Sequence, residues 1–163
     1  MRPHLALLCL LAACAGGTTP AVAPVPAPLV AAPAVVASAP ASFVRSNAEP
    51  QVTRNIDVRD GLSHTQAMRI VNDALGQRYT VDVVDAKAGF VMTAWQASLT
   101  RNGVPDLHYR TRLTARFMGD DWRKLQVRGE ANWARGDEWD VGFDAVQLDS
   151  ASSELRAKLG RNP

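Results

Sequence analysis
Seven prolines fall between residues 16 and 50: Pro20, Pro24, Pro26, Pro28, Pro33, Pro40 and Pro50. Each one locks φ near about −65° and removes a backbone donor, so no continuous helix can cross the segment. The stretch is otherwise rich in Ala and Val, with Arg45 and Glu49 as its only charges, and it lacks the alternation that would bury one face of a strand. Residues 16–50 are therefore expected to be a disordered, semi-rigid spacer with polyproline II character. At about 3.1 Å per residue it would extend to roughly 100 Å, enough to hold a domain away from a surface. Folding is thereby confined to residues 51–163, which suit one domain of ordinary size.

The residues ahead of the spacer specify an address. Met1-Arg2-Pro3-His4 is a short positive segment, and Leu5 to Ala13 carries no charge. That run fits the apolar region of a signal peptide, about 7–15 residues, and falls short of the roughly 20 that a transmembrane helix needs. Leu11-Ala12-Ala13-Cys14 resembles the lipobox of bacterial lipoproteins, in which a leucine and two small residues precede the lipidated cysteine. The resemblance implies a signal peptide over 1–13, thioether lipidation of Cys14 by its thiolate, and a tether over 14–50. Ordinary secretion is the alternative, because Ala13-Cys14-Ala15 also fits the A-x-A cleavage pattern. An Asp after the cysteine is the usual inner-membrane retention signal in enteric bacteria, and Ala15 stands there. By that analogy the resemblance implies the outer membrane, with the domain facing the periplasm. Three acyl chains would anchor firmly where a single one is marginal.

Charge and cysteine content narrow the function classes. The formal net charge is +2, and losing Arg2 with the signal lowers it by one. A nucleic-acid-binding domain usually carries a concentrated basic excess, so no nucleic-acid partner is expected. Cys9 and Cys14 are the only cysteines. Cys9 would leave with the signal, which gives the domain no disulfide, thiol chemistry or cysteine metal site. A cysteine-free domain suits an oxidising compartment.

Hydrophobic periodicity supplies the elements. Val52, Arg54, Ile56 and Val58 share one parity and predict a strand over 51–58. Ser63 and Gln66 form a capping box. Ala67, Ile70, Val71, Ala74 and Leu75 then make an apolar helical stripe, which Gly76 would end as a left-handed cap residue. Strands are predicted over 79–85, 90–97, 109–117 and 122–133, separated by polar turns. Residues 134–144 read as a polar, Gly-containing segment anchored by Trp139, Val141 and Phe143. Leu148, Ala151, Leu155 and Leu159 predict a second helix over 148–159, capped by Asp149 or Ser150 and stopped by Gly160. The expected fold class is α+β: an antiparallel sheet of about four or five strands with two helices packed on one face.

These residues carry a second resemblance. Gly89, Phe90, Val91, Thr93 and Trp95, followed by Arg110 and Arg112, are similar to the strand motifs of helix-grip lipoprotein domains, the family of the C lipoprotein in the Bam outer-membrane assembly machine. Ala94 stands where an acidic residue is often found. The likeness spans roughly residues 63–133. It implies binding or scaffolding without catalysis, in envelope or outer-membrane assembly or maintenance. One such domain here, in place of two, points to a stand-alone lipoprotein.

Candidate functional residues follow from strand parity. Arg110, Arg112, Arg116, Lys124 and Arg128 fall opposite the apolar positions and would form a basic stripe on the open sheet face. They are candidates for docking an envelope protein, an anionic glycan or lipid headgroups. The competing reading is a solvated face with cross-strand pairs to Glu130 and Asp82. Trp122, on the opposite parity from Trp133 and beside a turn, is the expected exposed aromatic. Asp137, Glu138, Asp140 and Asp144 lack EF-hand spacing and read as a solvated loop. His64 and His108 are isolated, so no metal is expected. No catalytic signature occurs, so no catalytic residue or cofactor is expected. A small-ligand carrier or enzyme using a helix–sheet cleft is the alternative, with Thr111 as its one inward polar residue.

Overall fold
The computed structural model describes residues 38–46, 52–120 and 122–161. Residues 1–37, which hold the expected signal peptide, Cys14 and most of the expected spacer, lie outside that set. The described chain runs β1 (Phe43–Arg45), β2 (Thr53–Asp57), α1 (His64–Gly76), β3 (Val81–Asp85), β4 (Phe90–Thr93), β5 (Gln96–Ala97), β6 (Thr100–Arg101), β7 (Val104–Pro105), β8 (Tyr109–Met118), β9 (Lys124–Arg135), β10 (Glu138–Asp144) and α2 (Ala145–Leu159).

The class is α+β, but the main sheet has eight strands, more than expected. Its path is β1-β10-β9-β8-β4-β3, antiparallel at every step; β2 joins β9 and β5 joins β8. β8 and β9 are the backbone of this sheet, paired without interruption from Tyr109↔Trp133 to Met118↔Lys124. β9 outruns its neighbours, so β2 pairs with its first half and β10 with its second.

The added strands have identifiable causes. Residues 134–144 are not a loop: Gly136, at φ 66°, turns the chain, and β10 returns along β9. Part of the expected spacer is also structured, because Phe43–Arg45 pairs with β10 as an edge strand. Pro40 precedes this strand without interrupting it, and an edge strand needs only one side of its ladder. The 90–97 segment divides into β4 and β5. At the break, Thr93 Oγ1 accepts the Leu113 N–H at 2.9 Å, replacing a ladder bond with a side-chain bond. Asn102 and Gly103, at φ 51° and 80°, close the small β6–β7 hairpin.

Both helices pack on one sheet face, α1 against β3 and β4, and α2 against β2 and β9. Ser63 caps α1, and Gln66 reciprocates as expected. Met68 joins the buried set beside Ala67, Val71, Ala74 and Leu75. Gly76 is the last helical residue rather than a left-handed cap, because Gln77 closes the helix in right-handed conformation at φ −69°. α2 begins before its predicted start: Asp144, not Asp149 or Ser150, is the N-cap, and it accepts the Gln147 N–H. Leu148, Leu155 and Leu159 seal α2 onto Ile56, Leu113, Leu125 and Val127 in one core. A smaller cluster of Tyr109, Ala131 and Trp133 closes the β1 end.

Candidate docking face
The strict alternation of β8 and β9 decides what each sheet face presents. Leu113, Ala115, Phe117, Leu125 and Val127 are buried beneath the helices, and Tyr109, Thr111, Ala131 and Trp133 are buried on the same parity toward the β1 end. The intervening side chains therefore point to the face without helices. That face carries Arg110, Arg112 and Arg116 on β8, and Lys124, Arg128 and Glu130 on β9. The five expected cations thus share one face with a single carboxylate from these two strands.

The arginines differ in their surroundings. Arg112 Nε donates to Glu130 at 2.6 Å, the cross-strand pairing expected of a solvated face, and its guanidinium also lies 4.7 Å from the Trp95 ring centroid. Arg110 sits between two indoles, 5.1 Å from Trp95 and 4.5 Å from Trp139. Its Nε is buried without a hydrogen-bond partner, and it makes no ion pair among the described residues. Arg116, Lys124 and Arg128 are exposed further along the strands.

Trp122 is a correction. It does not join this face; its indole packs against the core, stacked 3.6 Å from the His64 ring and edge-on to Phe117 at 5.8 Å. Its φ of 57° sends the side chain back over Gly89, which parity alone cannot foresee. The exposed aromatic is Trp139, 43% accessible and opposite Ala134 in the β9–β10 register. The sequence carried a signal for it in the alternation of Trp139 and Val141, hidden by reading 134–144 as a loop.

Two carboxylates shape the surrounding loops. Asp106 accepts from Arg101 Nε and from the His108 N–H and ring, and so pins the segment that leads into β8. The Arg101 hydrogen bond, then that of the His108 N–H, hold its carboxyl below the usual range against the opposing effect of burial. Asp144 accepts from Ser42, Tyr109 and the Gln147 N–H. Burial first, and the bond to Asp144 next, push the Tyr109 phenol upward. Asp140 pairs with Arg45 across β1 and β10, and Asp144 caps α2, so these two carboxylates hold a strand pair and a helix end. Among the described residues no three His, Cys, Asp or Glu side chains come together as a metal site.

A cleft of about 750 Å³ opens beside Ser42, Tyr79, Gln96, Ser98, Asp144 and Gln147. Burial raises the Tyr79 phenol there, outweighing the nearby Arg78. Thr111 Oγ1 is buried without a hydrogen-bond partner. The seam between Ala74, Leu75, Ala151 and Leu155, by contrast, leaves no room for a water-sized body.

No protein-family model matches the chain, and no curated protein does. The site is therefore read from its own chemistry.

Proposed function
We propose that the chain is a non-catalytic lipoprotein of the outer membrane, lipid-anchored through Cys14, whose helix-grip-like domain is a binding or scaffold module of the cell envelope. Its working surface is the helix-free sheet face. The observation that carries this reading is Arg110: a guanidinium held between Trp95 and Trp139, within a row of cations, its buried Nε without a hydrogen-bond partner among the described residues. A side chain so placed is oriented before any partner arrives, which lowers the entropy cost of capturing an anion.

Two variants test it in cells. Cys14→Ser should abolish acyl labelling and membrane retention; a retained, unlabelled protein rejects the anchor. Arg110→Glu with Arg112→Glu should disturb the envelope while circular dichroism stays native. An unchanged envelope with an intact fold rejects the docking face. The cleft beside Tyr79 favours one second reading, a carrier of a small hydroxylated ligand. A Gln96→Leu variant that leaves every envelope trait unchanged counts against it.

A further inference from the structure
The partner of this face can be narrowed by its composition. Beside Arg110 stand exposed apolar groups: Trp139 and Val141 on β10, at 43% and 56% accessibility. Val141 lies opposite Asn132, which lies opposite Arg110, and Trp139 lies opposite Ala134, so both side chains share the face of Arg110. Cations, an indole and an aliphatic side chain thus share one face. A soluble glycan would satisfy the guanidinium but offers no apolar phase for Trp139 and Val141. A bilayer surface offers both, since phosphates lie just outside an apolar layer and indoles settle between them.

Connectivity points the same way. β1 is the first described strand after the spacer, and it pairs with β10, which carries Trp139 and Val141. The chain therefore enters the fold one strand away from the exposed indole. The 24 residues from Cys14 to Ser38 can reach at most roughly 85 Å, at about 3.6 Å per fully extended residue. Contact with the membrane that holds the anchor is then an intramolecular event, at an effective concentration of about the millimolar order.

We propose that this face lies on the phosphate headgroups of the bilayer that carries the chain's own lipid anchor. Arg110 and Arg112 take phosphate oxygens, for which the planar guanidinium is suited, and Trp139 sits at headgroup depth. The inference rests on the lipoprotein reading above. The acyl chains hold the protein at the bilayer, and the face adds an affinity of its own that sets the domain's orientation, placing its helices away from the membrane.

The test uses the chain from residue 14 onward carrying Cys14→Ser, so that no acyl group contributes. It is mixed with vesicles of phosphatidylethanolamine and phosphatidylglycerol, or of phosphatidylcholine alone. Expected is co-sedimentation with the anionic vesicles only, weakened by added salt. Arg110→Gln and Arg112→Gln should each lower the partition coefficient about fivefold. A blue shift of tryptophan emission on binding should be reduced in Trp139→Phe. Arg116→Gln and Arg128→Gln, at exposed positions, should weaken binding in the same direction and serve if Arg110→Gln proves unfolded. Equal binding to both vesicle types, or binding indifferent to all four arginines in folded protein, overturns the proposal. Arg110-dependent binding of a soluble muramyl peptide without vesicle binding also overturns it, in favour of a glycan. Because this chain cannot be acylated, a negative result counts against the face alone; acyl labelling of Cys14 in cells judges the anchor separately.

Discussion

The phenol of Tyr109 donates a 2.7 Å hydrogen bond to a carboxylate oxygen of Asp144, 35 residues away and buried with it. Ser42 donates to the same oxygen at 2.7 Å, and the other oxygen caps α2 through the Gln147 N–H. One carboxylate therefore ties the approach to β1, the start of β8 and the first turn of α2. Asp144 would be costly to bury alone, and its three donors are what make the position tolerable.

Tyr109→Phe should cost about 1.5–3 kcal/mol of unfolding free energy, the usual range for a bond to a charged group. Its pH signature is separable from the loss itself. The unfolded phenol ionises near about pH 10, whereas the native one holds its proton well above that. Above that pH the native state binds more protons than the unfolded state, so stability falls as pH rises. Chemical denaturation from neutral to strongly alkaline pH should show this fall in the wild type and a shallower one in Tyr109→Phe. Identical alkaline slopes would disprove the assignment.

Asp106 governs the acid limb. Its native carboxyl is held low, first by Arg101, while the unfolded one protonates near about pH 4. The stabilisation is present above that pH and is lost as pH falls through the native value, because the unfolded state takes up the proton first. Asp106→Asn should flatten the acid limb of the stability profile and raise hydrogen exchange at His108 and Tyr109. An unaltered acid limb would mean that the Arg101 pair contributes nothing to the fold.

Gly89 and Trp122 form a local lock. Gly89 sits at φ 64°, where an L side chain is strained. A Cβ built there collides with the Trp122 ring. Gly89→Ala should destabilise by about 2–4 kcal/mol, combining left-handed strain with overpacking. Trp122→Ala removes the obstruction, so the double variant should lose less than the sum of the singles in a denaturation cycle. Strict additivity would show that the ring moves aside freely.

The same lock marks where sequence reasoning reached its limit. Periodicity located both helices, the buried parity of β8 and β9, and the five cations, because side-chain direction in a strand follows position alone. The Gly89-to-Trp95 motif was visible as a pattern, yet its physical content was not: Gly89 makes room for Trp122, and Thr93 supplies the bond where β4 gives way to β5. Trp122 was misplaced because a positive φ reverses side-chain direction without any trace in hydropathy. Trp139 is hard to place on the face from sequence because Gly136 looks like the start of a loop, whereas it turns β9 into β10. Phe43–Arg45 could not be seen as a strand, since three residues on a sheet edge are too few to show alternation.

The docking face should be separable from the fold. Each indole contact of Arg110 is a surface cation–π pair, worth about 0.5–1 kcal/mol at exposed sites. Breaking Arg112–Glu130 removes a partly exposed ion pair, typically about 0.2–1 kcal/mol. Arg110→Gln and Arg112→Gln should therefore each shift stability by no more than about 2 kcal/mol. Arg116→Gln and Arg128→Gln should fall within about 0.5 kcal/mol of the wild type. Thermal unfolding of the four variants is the measurement. A large loss in Arg110→Gln would make the Trp95–Arg110–Trp139 stack a structural strut, and its conformation would then owe nothing to an external anion. A small loss leaves a rigidly aimed cation that the fold itself does not require.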